Sequence, residues 1–308
     1  MNQINTKNIE DINIFDFFLI LWKRKLTIIA TTTIAAILSV IFSLSLPNIY
    51  TSSTLLIQSD ANQSLASNFS GLSSLASLSN IPDLRSPGEN KSKEAMARIR
   101  SYNFFENQFL PNIKLENLMA ARKWEPELDV IKYNNDFIKE TNTWVRAVKF
   151  PYKPKPSNQE AFKVYSEIIN LYEDQKTFFV TLSVEHISPK VASAWNKIIF
   201  NEINAYMRQI DKSIAEESIK FLKDTSLNNN IADIDDSISS LLKEQLQNLM
   251  FTESRKDYIY SYIEAPYIPE KKSKPSRALI CIMGTFLGGL IGVLSALILN
   301  FKETWKLN

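Results

Sequence analysis

Two long uncharged apolar runs lie near opposite ends of this chain, and they constrain everything between them. Leu26 to Leu46 reads LTIIATTTIAAILSVIFSLSL, and Ala278 to Leu299 reads ALICIMGTFLGGLIGVLSALIL. Each holds about 20 residues without a charge, long enough to cross the hydrocarbon core of a bilayer as a helix. Residues 47–277 are of mixed polarity and contain no third run of that length. The chain therefore reads as two membrane spans with all of its bulk between them.

The flanking charges predict an orientation. Lys23, Arg24 and Lys25 abut the start of the first run, and no basic residue follows closely on its far side. The positive-inside rule then puts the N-terminus in the cytoplasm, and a second span returns the C-terminus there, where Lys302 and Lys306 sit. Trp22 and Trp305 flank these two ends as interfacial aromatics do. Lys271, Lys272, Lys274 and Arg277 precede the second span on the opposite side. Long loops, however, translocate largely regardless of charge, and the first span usually dominates. A cleavable signal peptide is the competing reading of the first run, helped by Ser43 and Ser45 before Leu46. Its apolar stretch is too long for that, and Glu10, Asp11 and Asp16 precede it.

Composition removes several classes of function. Charged residues make up 22% of the chain, too many for a many-span transporter. Lys and Arg total 35 against 33 Asp and Glu, which lacks the basic surplus of a dedicated nucleic-acid binder. The one cysteine, Cys281, lies inside the second run, so neither an intrachain disulfide nor a cysteine metal site is expected. The one histidine, His186, disfavours a histidine metal site or a His-based triad; a surface or capping contact is its expected role. Of six glycines, four (Gly284, Gly288, Gly289, Gly292) fall in the second run. Such scarcity elsewhere predicts few tight hairpins, no phosphate-cradling loop and a preference for long helices.

Between the spans, Tyr50–Gln58 (YTSSTLLIQ) reads as a strand, and Ala61–Asn80 as a Ser-rich loop or weak helix. Lys91–Phe109 shows helical spacing through Ala95, Met96, Ile99, Tyr102 and Phe105. Ser157 and Glu160 form a capping-box pair ahead of Phe162, Tyr165, Ile168 and Ile169. Thr177–Val184 (TFFVTLSV) reads as a strand. Ser188-Pro189 then opens the longest helical signal, through Val191, Trp195, Ile199, Ile203, Tyr206, Ile210 and Ile214 toward Phe221 and Leu222. That is a helix of about 35 residues, or roughly 50 Å. The Asn228-Asn229-Asn230 triplet interrupts it, a second helix follows through Ile231, Ile234, Ile238, Leu242, Leu246 and Leu249, and Tyr258–Ala265 returns as a strand. Helices this long project from a small globule and need something to pack against. Ile210, Ile214, Ile231, Ile234, Ile238 and Leu242 are the candidate face for that contact, by intrachain packing or by self-association.

The expected fold class is an α/β membrane-proximal base domain with long extended helices, flanked by two transmembrane helices. The expected division is a cytoplasmic N-terminus (1–25), a first span (26–46), an α/β domain with a helical arm at about 188–255 (47–277), a second span (278–299) and a cytoplasmic tail (300–308). Pro266, Pro269 and Pro275 remove donors and favour extended backbone, so residues 266–275 should form a stiff juxtamembrane connector or a simple spacer.

The array Pro266-x2-Pro269-x4-Lys274-Pro275-Ser276-Arg277, followed by Gly288-x3-Gly292, resembles the proline-rich signature of the Wzz-type polysaccharide co-polymerases. The family's usual form has Ser before the third proline and Lys after it, where this chain has Lys274 and Ser276. Ser218–Leu222 is similar to the family's middle helix, and Leu249–Tyr258 to the segment entering its last strand; the first span with its basic cluster and Tyr50-Thr51 also fit. The resemblance covers both ends and much of the second half, and is weak from Ala61 to Asn158. It implies a regulator of the modal length of a lipid-linked surface polysaccharide, O-antigen first, with a separate inner-membrane polymerase as partner and the growing polysaccharide as a further candidate partner. It also implies a periplasmic central domain and a ring-like homo-oligomer. The tail after Leu299 is short and no G-x-x-x-x-G-K-[ST] is present, which resembles the kinase-free class. A polysaccharide export adaptor or a two-span periplasmic sensor is the alternative.

Gly284, Gly288 and Gly292 lie four apart on one face of the second span, where small residues permit close helix approach. Packing against the first span, a neighbouring protomer or the polymerase would use that face; backbone flexibility is the plainer reading. Asp233, Asp235 and Asp236 suit a solvated helix start near the positive dipole end better than a metal site. No enzyme, catalytic residue, metal or cofactor is expected, and no nucleic-acid partner.

Overall fold

The computed structural model describes residues 21–59, 87–228, 232–254 and 257–306. In chain order the elements are α1 (Lys25–Ser45), β1 (Tyr50–Gln58), α2 (Pro87–Ile99), α3 (Leu115–Met119), β2 (Ala121–Glu125) and β3 (Val130–Tyr133). They continue with β4 (Phe137–Ile138), β5 (Thr143–Trp144), α4 (Asn158–Ile168), β6 (Ile169–Glu173) and β7 (Val180–His186). The chain closes with α5 (Pro189–Asn228), α6 (Ala232–Ser254), β8 (Tyr260–Glu264) and α7 (Arg277–Lys306). The chain divides into two compact units, one holding α1 and α7, the other spanning residues 49–272. The fold is an α/β domain with a long helix, flanked in the chain by two helices long and apolar enough to cross a membrane.

The central unit is organised by a four-stranded antiparallel sheet in the order β6-β7-β1-β8. Its register pairs Tyr50 with His186, Thr54 with Leu182 and Leu56 with Val180. One face is buried at every second residue, as the pleat requires: Val180, Leu182, Val184 and His186 on β7, and Ser52, Thr54 and Leu56 on β1. Trp195, Ile199, Ile203 and Met207 of α5 belong to the same core, together with Phe104, Phe105, Phe109 and Tyr165.

Local chemistry explains where the elements begin and end. Ser188 Oγ accepts the N–H of Val191 at the start of α5, with Pro189 at its first position. The capping box opens α4: Ser157 accepts from Glu160 N–H while the Glu160 carboxylate accepts from Ser157 N–H. The single helix expected over Lys91–Phe109 is broken after Ile99. Ser101 caps a new turn through Phe104 N–H, and a π-type turn over Phe105–Phe109 follows; together the two turns place the rings of Phe104, Phe105 and Phe109 in the core. Ile169, expected in α4, instead opens β6, where it pairs with Val184. The strand expected from Thr177 begins at Val180, because Asp174 Oδ1 accepts the N–H groups of Lys176 and Thr177 in a tight turn first.

The expectation of few hairpins is overturned. The β2–β3, β4–β5 and β6–β7 pairs are turned without glycine; Asp129 (φ 52°), Asn142 (φ 52°) and Phe178 (φ 57°) take the left-handed conformation instead. Asp and Asn tolerate that region because their short polar side chains bond locally. The Ala61–Asn80 tract lies outside the described residues.

Candidate functional site

Three features gather the residues to which the sequence points. The first is the pairing of α1 with α7. The glycines of α7 face α1 in steps: a Cβ added at Gly284 would overlap Ser39, one at Gly288 would overlap Ala35, and one at Gly292 would overlap Thr31. Glycine is required here by close approach of two backbones, the small-residue packing used between membrane helices. Gly289 is different, for its added Cβ would meet only Thr32 Oγ1 at 3.8 Å. Three hydroxyls beside the seam bond within α1: Thr31 Oγ1 donates to Thr27 O at 3.0 Å, Thr32 Oγ1 to Ile28 O at 2.7 Å and Ser39 Oγ to Ala36 O at 2.8 Å. Away from it, Ile34, Ile41, Leu279, Ile282 and Phe286 are exposed, as lipid-facing residues are. At the start of α1, Lys25 Nζ lies 5.1 Å from the Trp22 ring centroid, next to Lys23 and Arg24.

The second feature is the connector after β8. Pro266 and Pro269 are buried, while Pro275 is half-buried. Hydroxyls from two elements hold its carbonyls: Ser193 Oγ of α5 donates to Pro266 O at 3.4 Å, and Ser52 Oγ of β1 donates to Tyr267 O at 2.8 Å. Arg277, at the first position of α7, donates to Asn48 Oδ1 at 3.0 Å.

The third feature is the helical pair α5–α6. Forty residues of α5 extend about 60 Å at 1.5 Å per residue, and α6 folds back along its C-terminal half. Lys212 meets Glu253 at 2.5 Å, and farther along Phe221 and Leu222 line a groove with Leu241 and Gln245. The candidate face is divided by this return. Ile238 is buried and Ile210 and Leu242 are half-buried, whereas Ile214 is 56% exposed. Ile231 and the side chain of Ile234 lie outside the described residues, as do the side chains of Asp233, Asp235 and Asp236. Phe221, Leu241, Leu246 and Met250 join Ile214 among the exposed apolar residues of the pair.

At the root of the pair, Asp211 Oδ2 accepts from Tyr258 Oη at 2.5 Å and meets Lys91 Nζ at 2.5 Å. Burial, and then the Asp211 carboxylate, push the Tyr258 hydroxyl far above the ordinary phenol range. This knot ties α2, α5 and the approach to β8. Sequence reasoning also missed the amides that join α5 to the sheet. Asn196 Nδ2 donates to Ser52 O and Leu182 O, and Asn204 bonds Tyr258, Ile259 and Tyr260. Both sit on the buried face of α5, and polar residues on an otherwise apolar stripe were the available signal.

His186 is buried rather than at the surface. Its Nδ1 accepts the N–H of Ser188 at 3.0 Å, so the other nitrogen, Nε2, donates to Asn117 O at 2.9 Å. That fixes a neutral tautomer against Trp195, and burial lowers its pKa. Among the described residues no three His, Cys, Asp or Glu side chains group as metal ligands.

Residues 10–99 match the Wzz family model, described as chain length determinant protein. The match takes in α1, β1 and α2, and so meets the family resemblance read from the sequence; the Pro–Gly array lies beyond it. Among solved structures, a full-length bacterial polysaccharide co-polymerase aligns over 95% of this chain and 99% of its own, at 14% identity and a TM-score of 0.42. A fragment of WzzB, a polysaccharide co-polymerase from Salmonella Typhimurium, aligns over 74% of this chain and 100% of its own, at 13% identity and a TM-score of 0.29. A comparison with curated protein sequences finds no significant match.

Proposed function

We propose that this chain regulates the modal chain length of a lipid-linked surface polysaccharide, O-antigen first, as a non-catalytic scaffold in the bacterial inner membrane. The observation that carries this reading is the Wzz chain-length-determinant match over residues 10–99. The two apolar helices at either end of the central domain support it, since such a regulator must stay beside a membrane-bound polymerase. Both termini lie in the cytoplasm, by the Lys23-Arg24-Lys25 cluster, and the α/β domain with its α5–α6 pair is periplasmic. The exposed apolar residues of that pair, Ile214, Phe221 and Met250 among them, favour self-association into a closed homo-oligomer that presents one surface to the polymerase and its growing product.

Deleting the gene and resolving the surface polysaccharide on a gel tests this function. Loss of the modal cluster of bands with polymer still made is the expected result. Complete loss of surface polymer assigns the chain to export instead.

A further inference from the structure

Residues 145–159 carry Arg146, Lys149, Lys153 and Lys155 and no acidic residue. Within this stretch Phe150 is 98% exposed and Tyr152 is 58% exposed. An apolar ring left almost wholly in water is unfavourable unless something covers it. The protrusion is nonetheless held firmly. Arg146 makes two hydrogen bonds to the Glu160 carboxylate, at 2.6 and 3.1 Å, and a third to Lys153 O at 2.9 Å. Tyr152 N–H closes a turn on Lys149 O at 3.0 Å. Arg146 is therefore committed to shaping the loop. Lys149, Lys153 and Lys155 have no carboxylate partner among the described residues.

The root of the loop can be traced through the domain. Val145 N–H bonds Asp136 O at 2.9 Å, Asn134 N–H bonds Ala120 O at 2.8 Å, and Asn117 O receives His186. His186 pairs with Tyr50, whose ring meets Trp124 edge-on at 5.5 Å. The loop thus grows from the stack at the Tyr50 end of β1, and only residues 46–49 separate that end from the apolar helix α1.

We propose that the Phe150–Tyr152 turn is a membrane-surface anchor. Its two rings enter the headgroup region of the bilayer that holds the spans, and Lys149, Lys153 and Lys155 contact anionic lipid. The chemistry fits a lipid surface: aromatic rings settle at the headgroup level, and clustered lysines are drawn to the negative surface potential. A saccharide partner would also meet an aromatic ring, but a phenyl ring 98% exposed has no shaped cleft around it to hold one.

The full chain, with Cys281→Ala and Phe150→Cys carrying an environment-sensitive label, is reconstituted into phosphatidylcholine vesicles containing one quarter phosphatidylglycerol. The vesicles also contain lipid spin-labelled near the headgroup. The label at position 150 is expected to be quenched, and a label placed through Met250→Cys is not. Pure phosphatidylcholine, or Lys149→Glu with Lys153→Glu and Lys155→Glu, should remove roughly half or more of that quenching. These lysines are exposed, so an unchanged melting temperature of the triple variant shows that its fold is kept. Quenching no greater than at position 250, or indifferent to lipid charge, overturns the proposal. A label that ignores lipid and responds to added surface polysaccharide overturns it in favour of a glycan site.

Discussion

Asn204 and Tyr260 grip one another through both ends of one amide: Oδ1 accepts Tyr260 N–H at 3.0 Å, and Nδ2 donates to Tyr260 O at 3.1 Å. The same Oδ1 also accepts the N–H groups of Tyr258 at 3.0 Å and Ile259 at 2.7 Å. One side chain of α5 therefore replaces a missing strand edge where the chain returns from α6 into β8. All four residues are buried.

Asn204→Ala would leave three buried backbone donors unpaired, each worth about 1–3 kcal/mol. A loss of about 3 kcal/mol or more is expected in denaturant unfolding of the full chain in detergent. Asn204→Asp keeps the acceptor and should lose clearly less; equal losses would show that the acceptor is not what matters.

Gly288→Leu forces a side chain into Ala35 across the α1–α7 seam. The expected cost is about 1–3 kcal/mol of helix-pair stability, as for overpacking elsewhere. It should broaden or shift the polysaccharide ladder at unchanged protein level. Gly289→Ala, which meets only Thr32 Oγ1 at 3.8 Å, should leave both melting temperature and ladder unchanged.

His186 makes stability depend on pH. The unfolded imidazole titrates near 6.5, and burial lowers the folded value. The unfolded chain therefore binds the proton more readily, so this contribution is complete above pH 6.5 and declines as pH falls below it. Protonation would also take away the Nδ1 acceptor that holds Ser188 N–H. Melting temperature measured across that window should fall on acidification, and His186→Gln should flatten the dependence while lowering overall stability.

Glu160 acts at lower pH. The Arg146 guanidinium beside it, reinforced by Ser157 N–H, holds its carboxyl down to about 2 from an ordinary 4.5. Its stabilisation is full above 4.5 and is lost as pH falls toward 2. Glu160→Gln should cost about 1–2 kcal/mol, through the cap and the charged pair together. It should also loosen residues 145–156, seen as faster amide exchange at Tyr152.

The sequence disclosed those parts of the fold whose signals are local and long. Tyr50–Gln58 is a strand as read, and Ser188-Pro189 does start a helix of great length. The short strands β2 to β5 escaped notice because two to five residues carry no period and their turns use Asp and Asn instead of glycine. The break at Ser101 was hidden because Phe104, Phe105 and Phe109 satisfy a helical spacing while serving another geometry. In the candidate site, the glycine spacing pointed to one face of α7 but not to Ser39, Ala35 and Thr31, which are distant in sequence. Likewise the isoleucine stripe could not say that α6 would return along α5 and bury Ile238 while leaving Ile214 open.

The most direct measurement of the central claim is a gain of pattern. The full chain is expressed in a strain that makes a lipid-linked surface polysaccharide but lacks its own length regulator, and the polymer is resolved on a gel. The account predicts that a featureless ladder becomes clustered around one preferred length, and that Gly288→Leu weakens the clustering. A ladder identical with and without the chain, when the protein is present in the membrane at normal level, would contradict it.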